Sequence, residues 1–133
     1  MNVETLRSVP LFEGLSDETL QRILDQGNEF EAVAGHVLVA PNQPGMGLFV
    51  VEEGTVTVDI RGREIELGPG EFFGELSLLD EGAVRHARVC AATDVRCLAI
   101  HRDDFTELIE TEPQIARSML RVLARRLGGE IGR

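Results

Sequence analysis

The residues best suited to chemistry lie in one stretch, positions 74–79, with Arg85 following a few residues later. The stretch reads Gly-Glu-Leu-Ser-Leu-Leu, and its leucines favour a short helix over a strand. A helix that begins after a glycine presents unpaired backbone N–H groups, and its dipole favours a negative ligand. Gly74 has no Cβ, so a ligand can approach the backbone closely. Because the planar guanidinium of Arg85 matches phosphate oxygens, the stretch predicts a phosphate site.

Glu75 lies at the mouth of this predicted site, where its carboxylate would repel a phosphate. A carboxylate accepts hydrogen bonds from hydroxyl groups, which a sugar ring beside the phosphate would offer. The pattern therefore predicts a ligand that carries both groups. The simpler alternative is an ion pair between Glu75 and Arg85 in a domain that binds no ligand.

The middle of the chain has the pattern of a β-rich domain, which must position these residues. Val56, Val58 and Ile60 alternate with polar residues, as in a half-buried antiparallel strand. Many short runs of this kind, separated by glycine and proline turns, predict a barrel or jelly roll. We expect a mainly β fold with flanking helices, in a single domain over residues 1–133. Its predicted parts are a helical segment over 1–29, a β-roll over 30–100 with a short helix at about 74–80, and C-terminal helices over 103–128.

Sequence signals also place the flanking helices. Ser16 is a predicted N-cap before a helix with acidic residues in its first turn. Asp103 to Glu110 is predicted to form a short helix, and Thr111 to open a capping box for the next one. That last helix is predicted to end at the Gly128-Gly129 pair.

The last helix has two kinds of side chain in periodic positions. Apolar residues on one side are predicted to form core or a lid over the pocket, with dimer packing as the rival interpretation: Ile115, Met119, Leu123 and Leu127. A row of arginines is predicted to be a solvated face: Arg117, Arg121, Arg125 and Arg126.

Composition excludes several classes of protein. The 133 residues are 43% hydrophobic, and no apolar run approaches the about 20 residues of a transmembrane helix. A formal net charge of -10, with no lysine in the chain, opposes general binding to nucleic acid or anionic membrane. Without a visible signal peptide, the expected location is cytoplasmic. Two cysteines, Cys90 and Cys97, are expected as buried thiols that face each other across a hairpin turning at Thr93-Asp94.

Residues 73–78, Phe-Gly-Glu-Leu-Ser-Leu, together with Arg85-His86-Ala87, resemble the phosphate-binding cassette of the cyclic nucleotide-binding domain family. This family includes the catabolite activator protein and the Crp/Fnr regulators. Residues 68–75, Gly-Pro-Gly-Glu-Phe-Phe-Gly-Glu, are the most specific part of a similarity that runs over nearly the whole chain. The resemblance implies a double-stranded β-helix, or jelly roll, with short N-terminal helices, a short cassette helix and C-terminal helices.

The resemblance also implies roles for individual residues. In the family, the glutamate at the position of Glu75 accepts a hydrogen bond from the ribose 2′-hydroxyl, and the arginine at the position of Arg85 pairs with the cyclic phosphate. His86 departs from the small or hydroxyl residue usual there, and an imidazole is bulkier and adds a cation when protonated. The ligand-binding residues implied are Phe73, Gly74, Glu75, Leu76, Ser77, Arg85, His86 and Ala87.

The sequence thus predicts a sensor of cAMP or cGMP, with no enzyme activity, no metal and no cofactor beyond that ligand. The residues expected to contact the base include Glu130 and Ile131, which offer no pair of hydroxyls, and the chain shows no DNA-binding domain. A homodimer or an effector protein is expected to bind through the C-terminal helix, as in a regulatory part of a larger protein. The alternative is a degenerate fold that binds no nucleotide and serves as a protein–protein interaction module.

Overall fold

Within the residues that the structure describes, helices flank eight β-strands on both sides in the sequence. The computed structural model describes residues 1–43, 47–75 and 86–131, and of residues 127–131 only the backbone. The helices are α1 (Val3–Arg7), a 3-10 turn (Pro10–Phe12), α2 (Asp17–Gln26), α3 (Arg102–Thr111) and α4 (Pro113–Ile131). The strands are β1 (Asn28–Ala32), β2 (Val37–Val39), β3 (Gly47–Glu53), β4 (Val56–Ile60), β5 (Arg63–Leu67), β6 (Phe72–Phe73), β7 (Ala87–Ala91) and β8 (Val95–His101).

The strands form two antiparallel sheets of four, which confirms the predicted mainly β jelly roll. The first sheet has the order β1-β8-β3-β6, and the second has the order β2-β7-β4-β5. Consecutive strands often belong to different sheets, as in a sandwich whose chain crosses from one layer to the other. The central strands β8 and β3 pair from Gly47 opposite His101 to Glu53 opposite Arg96, with one irregularity near the end.

The predicted hairpin between the two cysteines is wrong. Strand β7 belongs to the second sheet and β8 to the first, so the turn at Thr93-Asp94 passes between sheets. Cys90 lies opposite Val37 and Thr57, whereas Cys97 lies between Phe30 and Val51. Both thiols are free, and only Cys97 is fully buried. The same turn residues suit a tight hairpin or a corner between sheets, so they could not decide the pairing.

Two apolar clusters lie on opposite faces of the first sheet. Leu48 and Val50 of β3 point to one face and pack with the helices, while Val51 points to the other face. The helical cluster includes Phe12, Leu20, Phe72, Phe105 and Ile115, and the interior of the roll includes Val56, Val58, Phe73, Val89 and Cys97. Because the side chains of a strand alternate between its two faces, the first sheet packs on the helices with one face and on the interior of the roll with the other.

Some helix boundaries follow the predicted signals and others do not. The Ser16 hydroxyl accepts a hydrogen bond from the Thr19 N–H at 3.1 Å, which confirms the N-cap of α2. Thr111 is instead the last residue of α3, where its hydroxyl donates to the Glu107 carbonyl at 3.1 Å, so the predicted capping box is wrong. Helix α4 continues through Gly128 and Gly129 to Ile131. The predicted end of the helix at this pair is therefore wrong, because a cost of about 1 kcal/mol of helix propensity for each glycine does not stop the helix.

Candidate functional site

The predicted cassette begins at the end of β6, where the chain turns into a helix. Phe72 and Phe73 form the strand, Gly74 follows with φ of 94°, and Glu75 is the first helical residue. Phe73 faces the interior of the roll, and its ring stacks on Phe49 with centroids 5.0 Å apart. Of the other predicted ligand residues, Leu76, Ser77 and Arg85 lie outside the described residues.

Gly74 is required by packing against β3. A Cβ at this position would lie 2.5 Å from the Gly47 carbonyl oxygen and 3.1 Å from the Phe49 ring. The positive φ also favours glycine over any residue with a Cβ. The missing side chain of Gly74 therefore lets this part of the chain approach β3. The sequence interpretation was that it makes room for a ligand. Either way, Gly74 fixes where the cassette begins.

Glu75 is a buried carboxylate, with only 4% of the residue exposed. Its Oε1 accepts a hydrogen bond from Nη1 of Arg126 at 3.1 Å. Burial raises the pKa of the Glu75 carboxyl, and the positive charge of Arg126 opposes this rise. The charged partner fixes the orientation of the buried carboxylate, which suits it to accept a hydrogen bond from a ligand.

Arg126 is a site residue that the sequence interpretation missed, and its assignment to the solvated face is wrong. Its Nη2 donates to the Phe72 carbonyl at 2.7 Å, and its Cζ lies 4.6 Å from the centre of the Phe72 ring. The other three arginines of the row are exposed, as predicted. A signal was present, because Arg126 follows the buried Ile115 and Met119 by eleven and seven residues, which is the spacing of one helix face.

The second half of the predicted site is described from His86 onward. His86 is exposed in a turn, and Ala87, at 9% exposure, begins β7 opposite Ile60. His101 caps α3, where its Nδ1 accepts from the Asp103 N–H at 3.2 Å. Within the described ranges, no group of three or more His, Cys, Asp or Glu side chains could hold a metal ion.

A comparison with protein families gives a match to the cyclic nucleotide-binding domain over residues 29–112. The chain belongs to the cyclic nucleotide-binding domain family. A CRP-like cAMP-activated global transcriptional regulator of Mycobacterium tuberculosis is 34% identical over 130 residues, covering 93% of this chain and 58% of the regulator. A cyclic nucleotide-gated potassium channel of Mesorhizobium japonicum is 37% identical over 127 residues, covering 96% of this chain and 35% of the channel.

Two solved structures share this fold. The Thermus thermophilus catabolite activator protein superposes with a TM-score of 0.76 and 36% identity, covering 91% of this chain and 59% of that one. A regulatory subunit of a cAMP-independent protein kinase A from Trypanosoma cruzi, bound to guanosine, has a TM-score of 0.69 and 27% identity. It covers 77% of this chain and 38% of that one. The chain thus spans about a third to three fifths of the length of these relatives.

The relatives include a regulator, a channel and a cGMP-dependent protein kinase, and the chain matches only part of each. In the part of this chain that the structure describes, no helix is both long and apolar enough to cross a bilayer.

Proposed function

We propose that this domain is a sensor that binds a cyclic nucleotide, cAMP or cGMP, and reports its presence through α4. Arg85 and backbone N–H groups near Leu76, Ser77 and Ala87 hold the cyclic phosphate, and Glu75 accepts from the ribose 2′-hydroxyl. The observation that carries the proposal is the buried Glu75 carboxylate at the start of the cassette, fixed by a charged partner. A buried charge is costly unless it is paired and hydrogen-bonded, and here a ligand hydroxyl would add a further hydrogen bond to the one from Arg126.

The interior of the roll supports a ligand with an apolar ring. Phe49 and Ile60 pack against the interior cluster but are only partly buried. Phe49 pairs with Phe73, just before the cassette, and Ile60 pairs with Ala87, just after it. Incompletely covered apolar side chains therefore lie beside both ends of the cassette. A purine between them would bury apolar surface on both partners, which is the usual character of a small-molecule site.

Isothermal titration calorimetry with cAMP, cGMP and guanosine tests this proposal. Guanosine is included because the Trypanosoma cruzi relative binds that nucleoside, which has no phosphate. We expect the Arg85→Ala variant to lose tenfold to a hundredfold in affinity for the cyclic nucleotides, since a charge-assisted bond contributes about 1.5–3 kcal/mol. Arg88→Ala is the matched control, because Arg88 is an exposed arginine of β7 three positions away. Equal losses in both variants would contradict a phosphate contact at Arg85.

A second candidate, the protein-interaction module, is favoured by one feature of α4. Leu120 is 68% exposed and lies beside the exposed Arg117 and Arg121 on this helix. An apolar side chain flanked by arginines is typical of a protein interface. Binding of none of the three ligands at millimolar concentration would favour this candidate. A homodimer or an effector protein would then be the partner, with no catalysis by this chain in either case.

A further inference from the structure

Arg126 connects the last helix to the proposed hydroxyl-binding carboxylate. Its guanidinium has three contacts, with the Glu75 carboxylate, the Phe72 carbonyl and the face of the Phe72 ring. The side chains of Arg126 and Glu75 are 18% and 5% exposed. A guanidinium held by two hydrogen bonds and a ring has little freedom to rotate, and it imposes its own direction on the carboxylate.

The pair leaves capacity for a ligand. An ionised carboxylate can accept about four hydrogen bonds. Among the described residues, Arg126 uses one of them, on Oε1 of Glu75, and the backbone N–H of Glu75 uses another. A hydroxyl group can therefore bind Glu75 while Arg126 stays in place. The guanidinium also balances the buried charge, and a carboxyl that stays ionised remains a pure acceptor for a hydroxyl donor. Among the residues that the structure describes, Arg126 is the charged group in contact with Glu75.

We propose that Arg126 is a positioning residue, which orients and charge-balances Glu75 so that recognition of a ligand hydroxyl depends on the docking of α4. The inference rests on the proposed function, because it takes Glu75 as the acceptor for the ribose hydroxyl. It adds a specific consequence: a movement of α4 that takes Arg126 away from Glu75 weakens the hydroxyl contact. The helix and the ligand would then be linked reciprocally, as in any coupled pair of sites.

Affinities for cAMP and 2′-deoxy-cAMP test the positioning role, measured by calorimetry between pH 5 and pH 8. We expect Arg126→Gln to weaken cAMP binding tenfold or more and to change binding of the deoxy ligand less than twofold. The loss grows as the pH falls, because burial raises the pKa of Glu75 and the guanidinium no longer opposes that rise. Arg126→Lys restores part of the affinity, since an ammonium keeps the charge but not the planar geometry.

Arg125→Gln is the matched control, because Arg125 is the exposed neighbour on the same helix. It should bind both ligands as the unchanged chain does. Circular dichroism shows whether each variant folds, and Arg126→Lys carries the test if Arg126→Gln does not. Equal losses for cAMP and the deoxy ligand, or a loss that is independent of pH, would overturn the positioning role and leave the proposed function standing. Failure of the unchanged chain to bind any cyclic nucleotide would overturn both.

Discussion

Replacing Gly74 by alanine tests whether the start of the cassette is fixed by packing on β3. The φ of 94° at Gly74 costs an L-residue about 1–2 kcal/mol. The new Cβ would also lie 2.5 Å from the Gly47 carbonyl oxygen, a backbone atom of a paired strand that cannot move aside cheaply. Overpacking of this kind costs about 1–3 kcal/mol, so we expect a total loss of about 2–5 kcal/mol in the free energy of unfolding.

Gly62→Ala is the matched control for Gly74→Ala. Gly62 has nearly the same conformation, with φ of 86°, but a Cβ there would meet nothing within 4 Å. The control should therefore lose only the conformational part, about 1–2 kcal/mol. For a chain of 133 residues, 1 kcal/mol corresponds to roughly 3–4 °C in Tm. Thermal and urea unfolding followed by circular dichroism measure both variants. A loss at Gly74 no larger than the loss at Gly62 would refute the argument that backbone contact fixes the cassette.

Three further predictions follow from other parts of the molecule. Burial raises the pKa of the Cys97 thiol from 9.0 to about 11, so the folded state binds the thiol proton more tightly than the unfolded state does. The free energy of unfolding should therefore fall by about 2–3 kcal/mol as the pH rises from 9 to 11. The chain has no lysine or tyrosine, but its N-terminal ammonium, whose pKa is raised by the hydrogen bond to Glu29, also loses its proton in alkaline solution. Urea titrations should therefore show a larger fall in Cys90→Ala than in Cys97→Ala. Ser16→Ala removes the acceptor of the Thr19 N–H and should lower the free energy of unfolding by about 1 kcal/mol, whereas an unchanged Tm would contradict the cap. The affinities for cAMP and cGMP should differ less than about a hundredfold, since Glu130 and Ile131 offer no pair of hydroxyls to the base. A larger preference in calorimetry would show base contacts elsewhere in the domain.

The sequence predicted the class of fold because its signals are local. Alternation in residues 56–60, glycine and proline turns, and the Ser16 cap each depend on a few neighbouring residues, and the strands and α2 form where those signals place them. Local chemistry also suits Asn42, whose φ of 65° is a left-handed conformation that asparagine tolerates. The cassette motif also identified the family from its order of residues, which the family comparison confirmed.

The tertiary structure decided what depends on residues far apart in the chain. Strands β7 and β8 lie in different sheets because the hydrophobic clusters on the two layers, and not the turn at Thr93-Asp94, determine the partner of each strand. Gly74 faces β3, and this could be seen only once Gly47 was placed beside it.

Arg126 shows the same division at the candidate site. The sequence placed an arginine on a helix and a glutamate at the start of the cassette, but their contact joins residues 51 positions apart. It exists because α4 packs on the 3-10 turn and α3 at an angle that brings one particular turn of the helix to Phe72 and Glu75. Helix periodicity gives the face on which a side chain lies, whereas the element that this face meets is set by packing of the whole domain. The sequence by itself determined the groups available for a ligand, and the tertiary structure determined that Glu75 is held by the last helix.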